Sequence, residues 1–555
     1  MRTSEQTGRH ISAWVAKLAP MSGPERARSD AYVVPTTAGR VRGILHARTG
    51  MRTWRGIPYG ATTAGKQRFR APLPPTPWRG VRDASQFAPP ALQGTFGWGD
   101  AVLGTEDCLT LDIVRPDTDE QLPVVVYFHG GTFVTGASNE KVLRGYYLAR
   151  ATNVVYVSVN FRLGVLGYLD FHSIGSDCEA NPAIWDQIQA LSWVRDNIAA
   201  FGGDPSRVTI MGESAGGAAV IHLMCAPAAR GLFSGVVAQS PPSASVHSRL
   251  QAAMWVRTLI DGMGMSRLST LDDLREADAA DMVRVGQSML LNGKELVQFN
   301  TSFMPTVDGV TLPEHPIDTF AAGKQAPVPL IIGTNSEEAS FAKAIYQTPK
   351  QRQRAARRAL SVYDPDNACE VMAAYNDCGA RSDFADLIAD AVFWAPSVML
   401  ATSHREVTPT WMYRFTYASE TMRRIGLGAM HTADLVAVFG DPFATKASRI
   451  DRFASHEGFD EVSELMQYHW GCFFHYGRPG EQWPQYGFRT EAHPGRATAV
   501  FDREFSVEMD PKAAQRRAWE EFDMREWGTS RDDLMESLAE FFGFDLPGPV
   551  VDDDE

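Results

Sequence analysis

The segment at residues 212–216, Gly-Glu-Ser-Ala-Gly, has the residue types that an exposed serine nucleophile needs. A serine on a sharp turn between a strand and a helix requires strained backbone angles, and flanking glycines let the turn pack closely. An apolar run, residues 207–211, precedes the segment, and small residues follow it. Ser214 is therefore the predicted nucleophile for attack on a carbonyl carbon. The alternative is a glycine-rich turn without chemistry, because so short a motif also recurs by chance.

A second glycine-rich turn could stabilise the negative charge that such an attack creates. The apolar run at residues 122–128 is followed at once by His-Gly-Gly-Thr at residues 129–132. A turn of this kind can present backbone N–H groups to an oxyanion at little cost of reorganisation. The predicted donors are the N–H groups of Gly131, Thr132 and Ala215. An ordinary glycine turn is the alternative.

A nucleophilic serine of this type works with a carboxylate and a histidine that follow it along the chain in that order. The apolar run at residues 328–332 leads into Glu337 and Glu338. Both carboxylates stand near a predicted strand end, and one of them could be a plain surface charge. The periodicity of the sequence does not choose between them.

The histidine must lie further along the chain. His431 ends a glycine-rich loop that follows the strand-like residues 411–417, so it could reach across to Ser214. There it would accept the serine proton, while a carboxylate fixes its tautomer. His469 and His475 lie in a helical stretch rich in Trp and Phe and are expected to be packing residues.

All these residues follow apolar runs rich in β-branched and aromatic residues. Such runs are typical of central strands in a sheet that helices cover on both faces. Helical periodicity at residues 184–200 indicates a crossover helix, and residues 33–59 and 497–509 suggest antiparallel hairpin strands at the edges. The fold class is therefore α/β, with one mixed, mainly parallel sheet and its ligand site at the carboxyl ends of the strands. The runs are residues 122–128, 154–159, 207–211, 235–238 and 328–332.

The composition narrows the possible partners. The chain has 555 residues, 44% of them hydrophobic, which suits a globular protein with a large core. Its 53 Lys and Arg against 66 Asp and Glu give a net charge of −13. That balance argues against nucleic acid or an anionic membrane surface as a partner, because both select basic patches. No stretch is expected to span a membrane.

The cysteines and the N-terminal residues bear on location. The 6 cysteines form no CxxC pair and no dense framework, and residues 1–30 lack the long apolar core of a secretory signal. We therefore expect a cytoplasmic protein. No spacing typical of metal ligands is present, so the sequence predicts neither a metal nor an organic cofactor.

Taken together, the motifs resemble those of the type B carboxylesterases, the family that includes cholinesterase-like enzymes. The resemblance runs from about residue 32 to 527 as a collinear series, which makes it specific. The matching segments are residues 54–59 (Trp-Arg-Gly-Ile-Pro-Tyr), 68–69, 77–80, 106–113 (Glu-Asp-Cys-Leu-Thr-Leu-Asp-Ile), 159–164, 186–187, 201–205 and 212–217.

The resemblance implies an α/β-hydrolase fold and a serine carboxylesterase that cleaves small-molecule esters through an acyl-enzyme on Ser214. It implies Glu338 as the acid and His431 as the base, with Ala339 and Asp434 as mild departures from the family pattern. The alternatives are a catalytically inactive binding or adhesion homologue, or an amidase or acyltransferase that uses the same triad.

The resemblance also suggests residues around the site. Glu213 and Phe133 are expected at the substrate, Glu213 in a supporting role. Further pocket walls are expected from residues 95–98, 241–246 and the Met-rich stretch 254–304. Cys108 resembles a half-cystine of secreted members, but Ala91 stands near its partner's position, so we expect a free, buried thiol.

The expected organisation is one catalytic α/β-hydrolase domain at residues 31–545 between two terminal segments. Residues 1–30 would be an N-terminal extension, and residues 546–555 an acidic tail. Helical insertions that form a cap are expected at about residues 245–300 and 340–405.

Overall fold

A computed structural model describes residues 32–95, 101–291, 301–441, 458–487 and 495–525. The predicted N-terminal extension and acidic tail lie outside these residues, as do residues 96–98 and 292–300 of the expected pocket walls. The strands of the described residues are β1 (Val33–Thr36), β2 (Gly39–Arg42), β3 (Ile44–His46), β4 (Met51–Pro58), β5 (Val81–Asp83), β6 (Gln93–Gly94), β7 (Val102–Leu103), β8 (Thr110–Pro116), β9 (Leu122–Phe128), β10 (Val155–Val159), β11 (Gly203–Glu213), β12 (Gly235–Gln239), β13 (Leu330–Asn335), β14 (Thr410–Phe415), β15 (Ala497–Phe501) and β16 (Phe505–Met509).

Helices connect most of these strands. In the described part of the chain the α-helices are α1 (Tyr146–Thr152), α2 (Gly164–Gly167), α3 (Pro182–Asn197), α4 (Ala215–Cys225), α5 (Arg249–Gly262), α6 (Leu271–Glu276), α7 (Ala279–Leu291), α8 (Pro316–Ala321), α9 (Pro349–Ser361), α10 (Ala368–Ala373), α11 (Arg381–Ala389), α12 (Ala395–His404), α13 (Glu420–Arg424), α14 (Ala433–Phe439), α15 (Phe459–Tyr476) and α16 (Ala513–Glu520).

The described strands form an 11-stranded main sheet in the order β16-β15-β14-β13-β12-β11-β9-β10-β8-β4-β3. The inner strands, from β10 across to β15, run parallel, while β16, β8, β4 and β3 pair antiparallel with their neighbours. This mixed, mainly parallel sheet confirms the predicted fold class. The edge prediction for residues 33–59 is confirmed in part, because β3 and β4 form an antiparallel hairpin at one edge of the main sheet. In the remaining part, β1 pairs with β2 and β2 pairs with β5 in a small sheet of their own.

The core lies on both faces of the main sheet, and β9 shows why. Val124, Val126 and Phe128 pack into one hydrophobic cluster, and Val125 and Tyr127 pack into another. Side chains alternate between the two faces of a strand, so an unbroken apolar run requires cover on both. Residues of α3 and α4 cover the strand in the first cluster, and residues of α14 and α15 cover it in the second.

The expected cap insertions coincide with helical excursions from the sheet. Helices α5 to α7 follow β12, and α9 to α12 lie between β13 and β14. The single-domain boundaries themselves stay predictions. One run in the second excursion, Arg381–His404, has the length and apolar character of a membrane span, contrary to the expectation that no stretch would. Its most apolar window is 72% buried inside the protein, as in the core helix of a globular domain.

The cysteines form no disulfide. Each of the 6, all of which lie in the described residues, is free. Cys108 is buried, as expected, and burial raises the pKa of its thiol. The cytoplasmic location stays a prediction.

Candidate active site

The site is built from the carboxyl ends of five strands that are neighbours in the sheet. In the spatial order β9-β11-β12-β13-β14, each strand ends in a segment that contributes one part. Parallel strands end on the same edge of a sheet, so segments far apart in sequence meet there. The parts are the glycine turn after β9, Ser214 after β11, Ser240 after β12, Glu338 after β13 and the His431 loop after β14.

Ser214 lies on a strained turn between β11 and α4. Its backbone has φ 58° and ψ −125°, a conformation that non-glycine residues rarely adopt. The turn packs closely on its surroundings, because a Cβ added to Gly216 would lie 2.0 Å from the carbonyl oxygen of Phe128. Gly216 is therefore required by close contact, whereas the strained conformation is that of Ser214 itself.

Three side chains form one hydrogen-bonded chain. The Ser214 hydroxyl lies 2.9 Å from Nε2 of His431, and Nδ1 of His431 lies 2.6 Å from Oε2 of Glu338. Glu338 is 2% exposed, and its other oxygen, Oε1, accepts hydrogen bonds from the N–H of Asn335 and the hydroxyl of Ser240. Glu338 can therefore hold the imidazole with Nδ1 protonated and Nε2 free to accept the serine proton.

The second carboxylate at the end of β13 does not contact the imidazole. Glu337 instead accepts a hydrogen bond from the N–H of Ala429, two residues before His431. The structure thus shows that Glu338, and not Glu337, binds His431, a choice that the pattern of the sequence left open.

The predicted oxyanion turn touches the serine turn. A Cβ added to Gly130 would lie 3.2 Å from the Cβ of Ser214. Gly131 has φ +117° and Thr132 has φ 54°, so consecutive residues of the turn have left-handed backbones. Among the backbone hydrogen bonds of the described residues, none uses the N–H of Gly131 or Thr132. Ala215 is the first residue of α4, where N–H groups lack an intrahelical acceptor.

Glu213 is a buried carboxyl group beside the imidazole. Its Oε1 lies 3.4 Å from Nε2 of His431, and burial raises its pKa to about 8. Burial lowers the pKa of His431, but the charges of Glu213 and Glu338 outweigh this and raise it to about 9. The position of Glu213 suits an electrostatic role toward His431 and places it close to any group bonded to Ser214.

Phe133 does not present an open surface. Its ring is 4% exposed and packs on Tyr168, with 4.8 Å between ring centroids, so its contact with substrate stays a prediction. The next residue, Val134, lines a cavity of about 620 Å³, including its opening to solvent. The cavity's other apolar walls include Leu92, Leu163, Val165, Val283, Leu290 and Phe303. Part of the predicted Met-rich stretch, α7, thus forms a wall beside the oxyanion turn.

Two contacts of the site were missed from sequence. Ser240 follows β12 and binds Glu338, and the rule of inspecting residues after each apolar run could have found it. Phe393 stacks on the ring of His431, with 4.6 Å between centroids. It belongs to a single π-helical turn, Asp390–Trp394, inserted between α11 and α12, for which the sequence gives no signal.

Two other histidines, and one group of possible metal ligands, have contacts of their own apart from Ser214, His431 and Glu338. Burial lowers the pKa of His469 to about 3, and His475 binds the carbonyl oxygen of Thr152, as expected for packing residues. The ligand atoms of Asp170, His172 and Cys178 lie within 4.8 Å of one another, a grouping that the sequence analysis did not identify. His172 is already hydrogen-bonded to Asp170 there, and the three residues are not part of the Ser214 site.

Comparison with known proteins identifies the family of the chain. The profile of the carboxylesterase family matches residues 30–519. Para-nitrobenzyl esterase of Bacillus subtilis (strain 168) is 33% identical, over 87% of this chain and 98% of its own. Human cocaine esterase is 32% identical, over 81% of this chain and 85% of its own.

Solved structures lead to the same family. A PNB esterase structure, 32% identical, superposes with a TM-score of 0.77 over 88% of this chain and 99% of its own. The expected α/β-hydrolase fold is thereby confirmed. The chain belongs to the carboxylesterase family and is a carboxylic ester hydrolase.

Proposed function

We propose that the protein hydrolyses small-molecule carboxylic esters through an acyl-enzyme on Ser214. The observation that carries the proposal is the continuous hydrogen-bonded chain from the Ser214 hydroxyl through His431 to Glu338. Nucleophile, base and orienting carboxylate are the set of groups that this reaction needs.

In the first half of the reaction, Oγ of Ser214 bonds to the ester carbonyl carbon, and its proton passes to Nε2 of His431. The carbonyl oxygen becomes an oxyanion, which the N–H groups of Gly131, Thr132 and Ala215 stabilise. The carbon–oxygen bond to the alcohol then breaks, and the alcohol leaves with the proton from His431. Glu338 stabilises the imidazolium throughout.

In the second half, water attacks the acyl carbon, and His431 accepts a proton from that water. The bond to Ser214 breaks, the serine recovers a proton from His431, and the acid is released. Apart from the ester and water, every group that these steps use belongs to the chain itself.

The acyl-enzyme is tested by rapid mixing with para-nitrophenyl and para-nitrobenzyl esters of graded acyl length, because relatives include a para-nitrobenzyl esterase. We expect a burst of alcohol equal to the enzyme present, and acid-quenched digests that carry the acyl group on Ser214. Steady hydrolysis with the acyl group on another residue would contradict the mechanism.

Matched ester and anilide substrates separate this proposal from an amidase, and added alcohol separates it from an acyltransferase. An esterase should favour the ester greatly, because alkoxide is the better leaving group, and should release mainly acid in water. A preference for the anilide, or transfer of the acyl group to alcohol in preference to water, would favour the alternatives.

A further prediction concerns Glu213 and the pH dependence of the reaction. His431 must be neutral to accept the serine proton, so kcat/KM should fall as the pH drops through the pKa of His431. The charge of Glu213 raises that pKa. In Glu213→Gln we therefore expect the acid limb of the kcat/KM profile to move to lower pH, whatever happens to the maximal rate.

Asp204→Asn, at the opposite end of β11, is the matched control and should leave the limb in place. An acid limb that stays at the wild-type pH in Glu213→Gln, or that moves upward, would show that Glu213 does not influence His431.

A further inference from the structure

The segment that follows β13 does more than supply Glu338. It also binds the backbone of the loop that leads to His431, which we call the histidine loop (residues 426–430). We propose that Glu337 is a positioning residue that holds the histidine loop, so that His431 stays within reach of Ser214. This inference rests on the proposed function.

Glu337 contacts the histidine loop through its backbone and its side chain. Its carboxylate Oε2 accepts a hydrogen bond from the N–H of Ala429 at 2.8 Å, and its own N–H donates to the carbonyl oxygen of Ala429 at 3.1 Å. The hydroxyl of Ser336 donates to the same Oε2, which fixes the carboxylate. Glu337 and Met430 also form an isolated β-bridge. Ala429 is thereby bonded on both of its backbone groups, two residues before His431.

The carboxylate also packs on the loop. Gly428 has φ +57°, and a Cβ added there would lie 2.7 Å from Cδ of Glu337 and 2.8 Å from its Oε2. The loop therefore needs glycine at this position, both for its backbone conformation and for close approach of the carboxylate.

Three residues near Glu337 in the sequence also donate hydrogen bonds to the histidine loop. The hydroxyl of Ser340 donates to the carbonyl oxygen of Leu427 at 2.6 Å, and Nζ of Lys343 donates to that of Gly426 at 3.0 Å. The side-chain amide of Asn335 donates to the carbonyl oxygen of Met430 at 3.2 Å. The backbone before His431 is therefore held almost residue by residue, and Glu337 supplies the central bond with its side chain.

This arrangement matters because, in the described part of the chain, no backbone hydrogen bond uses the N–H or the carbonyl oxygen of His431 itself. It lies between the loop and α14, and the next residue, Thr432, has a left-handed backbone with φ 74°. Glu338 orients the ring but does not fix the Cα. A loss of position of about 1 Å at a reacting group can cost about 10²-fold in rate. The two adjacent glutamates thus have different roles. Glu338 orients the imidazole, and Glu337 holds the backbone of the histidine loop.

The test compares Glu337→Ala with Glu337→Gln and a control. Glu337→Ala removes the acceptor of Ala429, and we expect kcat for a small aryl ester to fall about 10- to 100-fold while KM changes little. Glu337→Gln should recover kcat to within about threefold of wild type, because an amide oxygen can accept the same hydrogen bond. The control is Glu420→Ala, an exposed glutamate paired with Arg424 on α13, and it should behave as wild type.

Hydrogen–deuterium exchange gives a readout that does not depend on turnover. Peptides covering the histidine loop should exchange faster in Glu337→Ala than in wild type or Glu420→Ala. Wild-type kcat in Glu337→Ala, or equal loss in the Ala and Gln variants, would overturn the inference. If Glu337→Ala does not fold, Glu337→Met carries the same test, because its side chain is similar in length but offers no oxygen to the N–H of Ala429: lower kcat at unchanged KM supports the inference, and wild-type kcat overturns it.

The outcomes also separate this inference from the proposed function. A wild-type protein that neither hydrolyses esters nor forms an acyl group on Ser214 would defeat both. An active wild type with an equally active Glu337→Ala would defeat only the role of Glu337.

Discussion

Replacement of Ser214 by alanine is expected to lower kcat for an aryl ester by about 10⁶-fold, the scale seen when the nucleophile of a triad is removed. In the proposed mechanism this hydroxyl bonds to the acyl group, and it lies 2.9 Å from Nε2 of His431. The measurement is steady-state hydrolysis of a nitrophenyl ester, with a fluorophosphonate probe as a second readout. The variant should take up no probe.

The fold should survive this change. Ser214 is held by backbone bonds, its N–H to the carbonyl oxygen of Gln239 and its carbonyl oxygen to the N–H of Ala218, and alanine keeps both. Ser206→Ala, at an exposed serine near the start of β11, is the control and should retain full activity. Wild-type turnover in Ser214→Ala would remove the basis of the assignment.

Replacement of Glu338 by glutamine should lower kcat by about 10⁴-fold, the scale measured when the carboxylate of a triad becomes an amide. The reason is the pair of hydrogen-bond donors that face the carboxylate of Glu338. Oε1 faces the N–H of Asn335 and the hydroxyl of Ser240, so the amide oxygen of glutamine must take that side. The amide N–H₂ then faces Nδ1 of His431, which must become an acceptor. Nε2 would carry the proton and could no longer accept one from Ser214.

This prediction is checked by kcat and by thermal unfolding in parallel. We expect a large loss of kcat with little change in KM, because the amide is close in size to the carboxylate. Glu406→Gln, whose side chain is 74% exposed, is the control for a glutamate-to-glutamine change and should match wild type. Full activity in Glu338→Gln would mean that the tautomer of His431 is set by another group.

Much of the site could be predicted from sequence because its parts follow local patterns. Ser214 and the Gly131 turn sit in glycine-rich segments directly after apolar runs, and both the run and the turn are short-range signals. The same rule located Glu337 and Glu338. The central strands were predicted for the same reason, since a run such as residues 122–128 is buried on both faces.

The other features of the site could not be predicted, because they depend on contacts between residues that are far apart in the sequence. Ser214 and His431 are 217 residues apart, and Ser240 and Glu338 are 98 apart. Periodicity carries no information about such pairs. The choice between Glu337 and Glu338 likewise depends on how an irregular turn directs two neighbouring side chains, and only the resemblance to a family favoured Glu338.

The small sheet of β1, β2 and β5 was mispredicted for a similar reason. The sequence of residues 33–59 suggests hairpin strands, but it does not indicate which sheet each strand joins. β2 pairs with β5, with Arg40 opposite Val81, and pairing across such a separation in sequence is decided by tertiary packing.

The row of neighbouring strand ends described above leaves one helical excursion clear of the proposed catalytic residues. Ser214, Glu338 and His431 follow β11, β13 and β14, whereas α5 to α7 leave the sheet after β12, and α7 lines the cavity. The excursion between β13 and β14 differs, because it carries Phe393, which stacks on His431. Exchange of α5 to α7 between homologues can therefore reshape the cleft while the triad stays in place, and chimaeras joined on either side of these helices are the rational route to new selectivity.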